Sequence, residues 1–261
     1  MIVREDKDGS LILINQGDHA HLSGVMGAHW GNANFARPTP WLALTRAATW
    51  HDCGWRRYET SPIFDFDKRA PPHFPNVPLD DAQLDAYQAG IDWLRAIDPY
   101  AGALISAHRT GLWKQRYGAI ASPPLRAGRP LTDDVQAFIG REEARQAALV
   151  ATIDARQYHV NYQLLQILDL LSLYLCVKEP VVERIEFAPN DYAGDGKSGV
   201  SLQLTPEAGA RIAIDPYPFD VRPMEVSIVY RRLTRRDFKT VDEFRKTLFG
   251  ASPRTLSYTF V

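Results

Sequence analysis

A histidine and an aspartate stand side by side at His51-Asp52, in a stretch of small, apolar and aromatic residues that runs from 47 to 55. Imidazole nitrogens and carboxylate oxygens form the ligand set that proteins use for iron, manganese, zinc and related ions. A dipeptide of this kind also arises by chance, so its meaning depends on whether further ligands occur elsewhere in the chain. With such partners, the expected chemistry is that of a metal ion that activates water or oxygen.

Two further histidines lie on the faces that predicted helices turn toward the interior. His19 precedes Leu22 by three residues on the apolar stripe of its helix, and His108 follows Leu104 by four. Helical periodicity also places His51 on an inward face. Single residues on several helices converge on one point only when the helices pack as a bundle. The pattern therefore predicts a metal site in which His19, His51, Asp52 and His108 are ligands.

A carboxylate inside a nearly continuous apolar stretch is the other feature that suggests a metal. Asp169 lies in such a stretch, between 164 and 175, and an unpaired carboxylate buried there would cost several kcal/mol. A bound cation would remove that cost. Gln166, Asp169 and Ser172 also recur at three-residue spacing, so a solvated stripe on the helix is an equal alternative. His73, in a proline-rich loop over 60–79, is the last candidate ligand, although a loop histidine can be a coincidence.

Hydrophobic periodicity predicts the elements that must position these side chains. Helices are expected over about 18–30, 41–55, 79–96, from 99 onward through His108, 132–154, 156–176 and 241–249. Alternating segments bounded by turn residues predict strands over 1–4, 11–15, 182–187, 199–204, 211–214, 226–231 and 256–261. We therefore expect a mainly α fold with a small β-sheet region formed from the N- and C-terminal segments.

Two parts of the chain follow from this pattern. Residues 1–178 are expected to form an N-terminal hairpin and a helical metal-binding core, and 179–261 a β-rich region packed on that core rather than an independent domain. The composition is ordinary for a globular protein, with 45% hydrophobic residues, 23% charged residues and a net charge of −1. The charge gives no sign of a nucleic-acid or anionic-membrane partner.

Cysteine usage and targeting signals bear on where the protein acts. Cys53 and Cys176 do not form a disulfide framework, the N-terminus has no signal-peptide pattern, and no apolar run reaches the roughly 18 residues of a membrane span. A cytoplasmic location is the resulting expectation. The expected partner is a small-molecule substrate, and a homo-oligomer stays open.

The order His19, His51-Asp52, then Asp169 on a late apolar helix resembles the HD-domain superfamily, whose pattern is H…HD…D on a helical bundle. With His73 and His108 the order becomes H…HD…H…H…D, which resembles the dinuclear members: cyclic dinucleotide phosphodiesterases of the HD-GYP type and mixed-valent di-iron oxygenases of the myo-inositol oxygenase type. That resemblance implies an HD-like bundle and two metal ions that share Asp52, with His73 and His108 serving the second ion.

A closer resemblance rests on longer motifs and spans nearly the whole chain. Residues 16–20, 22–24, 29–31 and 50–55, together with the terminal β region, are similar to a bacterial family catalogued as domain of unknown function 3891. Many HD enzymes have a lysine after the HDxG motif, where it helps to hold a phosphate, but Trp55 stands here. The GYP signature is absent too. Candidate substrate-binding residues are therefore Trp55, Arg109 and Lys114.

These resemblances favour three functions in order. The first is a hydrolase that acts on a phosphate ester through a metal-activated water, with Asp52 as the catalytic residue. The second is a mixed-valent di-iron oxygenase that acts on a small molecule. The third is a ligand-binding or regulatory protein with an inactive HD core. The cofactor is expected to be a divalent metal, with two ions per site, iron first and manganese, zinc or magnesium as alternatives.

Overall fold

The computed structural model describes residues 1–77, 79–114, 131–193 and 199–261. Within these ranges the helices are α1 (Gln16–His29), α2 (Trp41–Trp50), α3 (Arg56–Thr60), α4 (Asp81–Ile97), α5 (Pro99–Trp113), α6 (Asp133–Val150), α7 (Ala155–Cys176) and α8 (Val241–Gly250). The strands are β1 (Ile2–Glu5), β2 (Leu11–Ile14), β3 (Glu183–Ala188), β4 (Val200–Glu207), β5 (Arg211–Asp215), β6 (Met224–Leu233) and β7 (Pro253–Phe260). Most predicted segments agree with these bounds to within a few residues.

All seven strands belong to one sheet, in the order β1-β2-β6-β7-β5-β4-β3. Neighbouring strands are antiparallel except β5 and β7, which are parallel. Along β6 the side chains alternate, so that Met224, Val226 and Ile228 are buried while their neighbours are exposed. The sheet therefore has one face against the protein interior, where α1 and α8 contact β6 and α7 contacts β3.

The expectation of a mainly α fold, an HD-like bundle with a small appended sheet, is wrong. The chain is 49% helix and 21% strand, and its mixed sheet curves like half of a barrel, so the fold is α+β. The strands themselves were predicted, but β4, β6 and β7 are longer than expected, at 8, 10 and 8 residues. Their union into one sheet depends on pairing between segments that are far apart in sequence, such as β2 with β6, and local periodicity carries no information about such pairing.

Helix α1 is the element that brings the helical candidates together, because it packs on both α2 and α7. A side-chain carbon at Gly24 would overlap Thr49 of α2, and one at Gly27 would lie 3.1 Å from Leu168 of α7. These two glycines let the helix axes approach closely. The result is that His19 on α1 faces both the end of α2 and the middle of α7.

The predicted helix over 41–55 is interrupted at the residues that matter most. Helix α2 ends at Trp50, His51 is its C-cap, and Cys53–Trp55 form a single 3₁₀ turn before α3. Asp52 has a backbone conformation (φ −110°, ψ 21°) outside the α-helical range. Adjacent residues on a continuous helix point about 100° apart. The break therefore allows His51 and Asp52 to turn their side chains toward the same interior point.

Membrane crossing is the remaining question about the helices. Of those in the described part of the chain, none combines the length and the apolar character that a membrane-spanning segment requires.

Candidate metal centre

Five of the predicted ligands form two overlapping groups. His19, His51 and Asp169 make one group, and His51, Asp52 and His108 make the other; within each, the candidate ligand atoms all lie within 4.8 Å of one another. Every one of these side chains is buried, with relative exposures between 1% and 5%. The residues come from α1, from the turn after α2, from α5 and from α7, so helix packing brings together positions that are 150 residues apart.

Two distances in and beside the first group match those of ligands that share one ion. His51 Nε2 lies 3.3 Å from Asp169 Oδ1, and His19 Nε2 lies 3.1 Å from Asp52 Oδ2. Two others are longer, 3.9 Å from Asp52 Oδ2 to His51 Nε2 and 3.8 Å from Asp169 Oδ1 to His19 Nδ1. Ligand atoms held by one ion at 2.0–2.2 Å are separated by about 2.8–3.6 Å in octahedral or tetrahedral geometry. The donor set of imidazole nitrogen and carboxylate oxygen therefore fits a divalent transition metal.

Hydrogen bonds at Nδ1 of His51 and His19 determine that Nε2 of each ring faces the carboxylates. His51 Nδ1 lies 2.8 Å from the carbonyl oxygen of Ala48, to which it donates its proton. Ser172 Oγ donates to the carbonyl oxygen of Asp169, so it accepts a proton from His19 Nδ1 at 2.8 Å. In a neutral ring with its proton on Nδ1, Nε2 faces a carboxylate and is the nitrogen that a metal ion or a second proton would bind. His51 Nε2 is fully buried and has no hydrogen bond of acceptable geometry.

Asp52 has the most contacts in the centre. Its Oδ1 accepts a hydrogen bond from Arg109 Nη2 at 2.7 Å and lies 3.7 Å from His108 Nε2. Its Oδ2 accepts one from Gln16 Nε2 at 3.1 Å, in addition to facing His19. One oxygen therefore faces the first group, and the other is bonded to a buried guanidinium.

The pKa values in the centre follow from burial opposed by these contacts. Burial would raise the pKa of Asp52, but contacts with His108 and His19 and the charge of Arg109 outweigh burial and hold it well below its usual range. Burial is likewise outweighed at Asp169, whose pKa His51 lowers to about 2. For His51, the two carboxylates outweigh burial and raise the pKa. Burial lowers the pKa of His108 to about 4. Both carboxylates are therefore ionised at neutral pH.

The alternative of a solvated stripe around Asp169 is wrong. Gln166, Asp169 and Ser172 have relative exposures of 2%, 4% and 0%, so the whole stripe faces the interior. Ser172 contributes to the centre by holding His19, and Ser23 of α1 donates to Ser172 at 2.9 Å. The buried stripe on α7 is thus part of the candidate site.

Four predicted residues lie outside the two groups, and one of them, Arg109, bonds Asp52. His73 Nδ1 accepts a hydrogen bond from the backbone N–H of Val3, a residue of β1, at 3.0 Å. Trp55 is buried, with its ring packed edge-on against Tyr58, Phe74 and Tyr87. Lys114 Nζ bonds both carboxylate oxygens of Glu143, at 2.9 and 3.0 Å. A ligand role for His73 and substrate-binding roles for Trp55 and Lys114 stay predictions.

Sequence reasoning missed two residues beside the centre. Gln16, which donates to Asp52, has its amide oxygen buried without a hydrogen-bond partner. Glu59 accepts a hydrogen bond from the backbone N–H of Gln16, and burial raises its pKa to about 7. The only signal for Gln16 was its place three residues before His19, and nothing in the sequence around Glu59 distinguished it from a surface glutamate.

The charges in the described cluster favour a cation. Asp52 and Asp169 contribute two negative charges and Arg109 one positive charge, while the two imidazoles are neutral in the tautomers assigned above. The remaining negative charge is buried, which is costly unless a counter-charge is present. A proton on His51 or a divalent ion would supply it. The centre can therefore hold a metal ion and is compatible with a metal-dependent enzyme.

Comparison with known proteins places the chain in one family. Residues 1–235 match the family described as "Protein of unknown function (DUF3891)". Because this match covers most of the chain, the protein belongs to that family, which confirms the closer of the two resemblances. No curated protein and no solved structure matches the chain. The resemblance to the HD superfamily stays a prediction, with which the two His/Asp groups are compatible.

Proposed function

We propose that the protein is a metal-dependent hydrolase that acts on a phosphate ester, with the ion held by His19, His51, Asp169 and Oδ2 of Asp52. One observation carries this proposal. Two buried imidazoles, each held at Nδ1 by a protein acceptor, present Nε2 to carboxylate oxygens 3.1 and 3.3 Å away. An imidazole nitrogen and a carboxylate at such distances need a proton or a metal ion between them, and both are donor atoms that divalent transition metals bind.

The chain's own residues define what the centre would do. A divalent ion held by such ligands supplies Lewis acidity, lowering the pKa of a bound water from 15.7 to about 7. Asp52 stays ionised at neutral pH because its pKa is so low, so it is a hydrogen-bond acceptor that orients the water rather than a base that keeps the proton. The Gln16 amide, donating to Asp52 Oδ2, fixes the plane of that carboxylate.

Charge favours an anionic substrate. With a divalent ion in place, the ion and Arg109 contribute three positive charges and the two carboxylates two negative ones. The centre then has a net charge of +1. A site with excess positive charge in surroundings of low dielectric constant attracts anions. A phosphate ester meets this requirement and contains a bond that an activated water can attack.

A di-iron oxygenase is the second candidate, and the observation that favours it is the second group. His51, Asp52 and His108 also offer nitrogen and oxygen atoms within bonding range of one point, next to the first group. An oxygenase would need both positions filled with iron.

The test begins with metal-free protein prepared with a chelator and reloaded without oxygen with Mn²⁺, Fe²⁺, Co²⁺ or Zn²⁺. Metal content is measured first. Turnover of p-nitrophenyl phosphate and bis(p-nitrophenyl) phosphate, and oxygen uptake by the Fe²⁺ form, follow. We expect metal-dependent ester cleavage that falls at least about 100-fold in His51→Ala and Asp169→Asn, because each loses a ligand. Arg184→Gln, an exposed change on β3, is the matched control and should behave as wild type.

Each other outcome points to a different function. Two irons per chain with oxygen uptake and no ester cleavage would replace the hydrolase by the oxygenase. A bound metal without either activity would favour a ligand-binding role. Absence of metal from the reloaded wild-type protein would overturn both enzyme functions.

A further inference from the structure

We infer that the centre takes one divalent ion, and that Arg109 provides the second positive charge on Asp52 in place of a second ion. Arg109 is thus a positioning residue for Asp52 and sets the number of metals. This inference rests on the proposed metal centre and concerns its stoichiometry, which the predicted order of six ligands led us to expect to be two.

The first reason is that the two groups share a ligand that can bind only one ion. His51 is common to both. Its Nδ1 donates to the Ala48 carbonyl, so Nε2 is the only nitrogen left for a metal. A neutral imidazole nitrogen has one lone pair in the ring plane and binds one ion. The groups therefore describe alternative positions for an ion around His51 rather than two complete sites.

The second reason is the position of Arg109. Its Nη2 lies 2.7 Å from Asp52 Oδ1, on the side of the carboxylate that His108 also faces. An ion bound to that oxygen at 2.0–2.2 Å would lie at most about 5 Å from the guanidinium nitrogen. Like charges at that separation in a buried site repel strongly. The ion would also weaken that oxygen as the acceptor of its charge-assisted hydrogen bond from Arg109.

The third reason is that packing holds the Arg109 side chain. Its exposure is 7%, and its guanidinium carbon lies 4.3 Å from the centroid of the Tyr87 ring and 5.7 Å from that of Trp113. Cation–π contacts of this kind favour a fixed planar guanidinium. Arg109 therefore keeps its charge at Asp52 Oδ1. The ion is left with the other side of the centre, where His19, His51 and Asp169 form one group and Asp52 Oδ2 lies 3.1 Å from His19 Nε2.

Metal stoichiometry tests the inference directly. Wild type, Arg109→Gln, Arg109→Lys and the exposed control Arg184→Gln are equilibrated with excess Mn²⁺, and bound metal per chain is measured by dialysis and elemental analysis. Electron paramagnetic resonance of the loaded proteins separates isolated ions from exchange-coupled pairs. We expect one isolated Mn²⁺ in wild type, Arg109→Lys and Arg184→Gln. Arg109→Gln should take up a second ion and show a coupled signal, because Asp52 Oδ1 and His108 then face a neutral side chain.

The possible results separate this inference from the proposed function. Two coupled ions in the wild type would overturn the inference and leave the metal centre in place. No ion in the wild type would overturn the proposed function itself. A folded Arg109→Gln protein with a single isolated ion would show that Arg109 does not exclude the second one. If Arg109→Gln does not fold, the wild-type and Arg109→Lys counts still decide between one ion and two.

Discussion

Two clusters of buried charge lie among the helices, one around Glu142 and one around Asp52 and Asp169. They differ in the groups that surround their carboxylates. Glu142 on α6 is fully buried, and its carboxylate accepts hydrogen bonds from Ser106, Gln88, Arg95 and Arg145. All four partners are proton donors. Asp52 and Asp169 are buried to a similar degree, but two of the groups that face them are imidazoles whose other ring nitrogen is already bonded to a protein acceptor. A buried carboxylate alone is therefore no sign of function; the chemistry of its neighbours decides.

This contrast explains why the Glu142 cluster carries no functional proposal. A carboxylate whose neighbours already donate protons needs no further cation and holds α4, α5 and α6 together. The His19–His51–Asp169 group takes its missing positive charge either as a proton on His51 or as a metal ion. The difference should therefore appear when a metal is added or a carboxylate is removed.

The largest expected difference is the response to metal. At a free ion concentration about a thousand times the Kd, binding to the folded state alone raises the free energy of unfolding by about 4 kcal/mol. Wild-type protein should show this gain in chemical denaturation with Mn²⁺ or Co²⁺, and a chelator should reverse it. Asp169→Asn should show almost none. An equal gain in Asp169→Asn would mean that the ion binds elsewhere.

Removing the Glu142 carboxylate should lower stability without changing the response to metal. Glu142→Ala removes the acceptor of Ser106 and one of the two carboxylates that Arg95 bonds, and we expect a loss of about 3 kcal/mol in the free energy of unfolding. Metal affinity should stay unchanged. The neighbouring Glu143→Ala is the control, since Glu143 forms a partly exposed pair with Lys114 and its loss should cost under about 1 kcal/mol. A weakened metal affinity in Glu142→Ala would show that the two clusters are coupled.

The smallest expected difference lies in the response to pH. In the metal-free protein the pKa of His51 is raised, so its protonation contributes stability that is complete below about pH 6.5 and is lost as pH rises through the folded value. Protons and metal compete for Nε2, so metal affinity should fall by up to about tenfold per unit as pH drops below that raised pKa.

The contribution of the Glu142 cluster to stability should not change over the pH range in which His51 titrates. Burial opposes ionisation, but hydrogen bonds from Gln88, Ser106 and Arg95 lower the pKa of Glu142 overall. Its stability contribution is therefore present above about pH 4.5 and is lost only as pH falls through the lower folded value. Calorimetric titrations with metal between pH 5.5 and 8 in two buffers measure the affinity and the released proton. A pH-independent affinity would argue against His51 as a ligand.

Sequence reasoning predicted the ligand positions of the centre better than the fold around it. His19, His51, Asp52, His108 and Asp169 were chosen from helical periodicity and residue chemistry, and the structure brings all five together. Those signals are local. Which residues hold the ligands in place was not predictable in the same way, because the contacts of Gln16 and Ser172 with the centre join segments that are 36 and 153 residues apart.

The break after Trp50 shows a second limit of pattern reading. Residues 41–55 have helical periodicity throughout, and a helix through His51 and Asp52 was the natural expectation. The imidazole of His51 instead bonds the carbonyl oxygen of Ala48, a group that the last turn of α2 leaves available. A side chain that competes with the backbone for a carbonyl shifts a helix end without changing the hydrophobic pattern.

The near-complete burial of the ligands has a kinetic consequence. His19 has 1% of its surface exposed, and His51 and Asp169 have 4% each. An ion in contact with all three can leave only when α1, α7 and the end of α2 separate transiently, so its residence time is governed by the rate of that opening. Exchange of one metal for another should then be slow and should accelerate steeply with temperature.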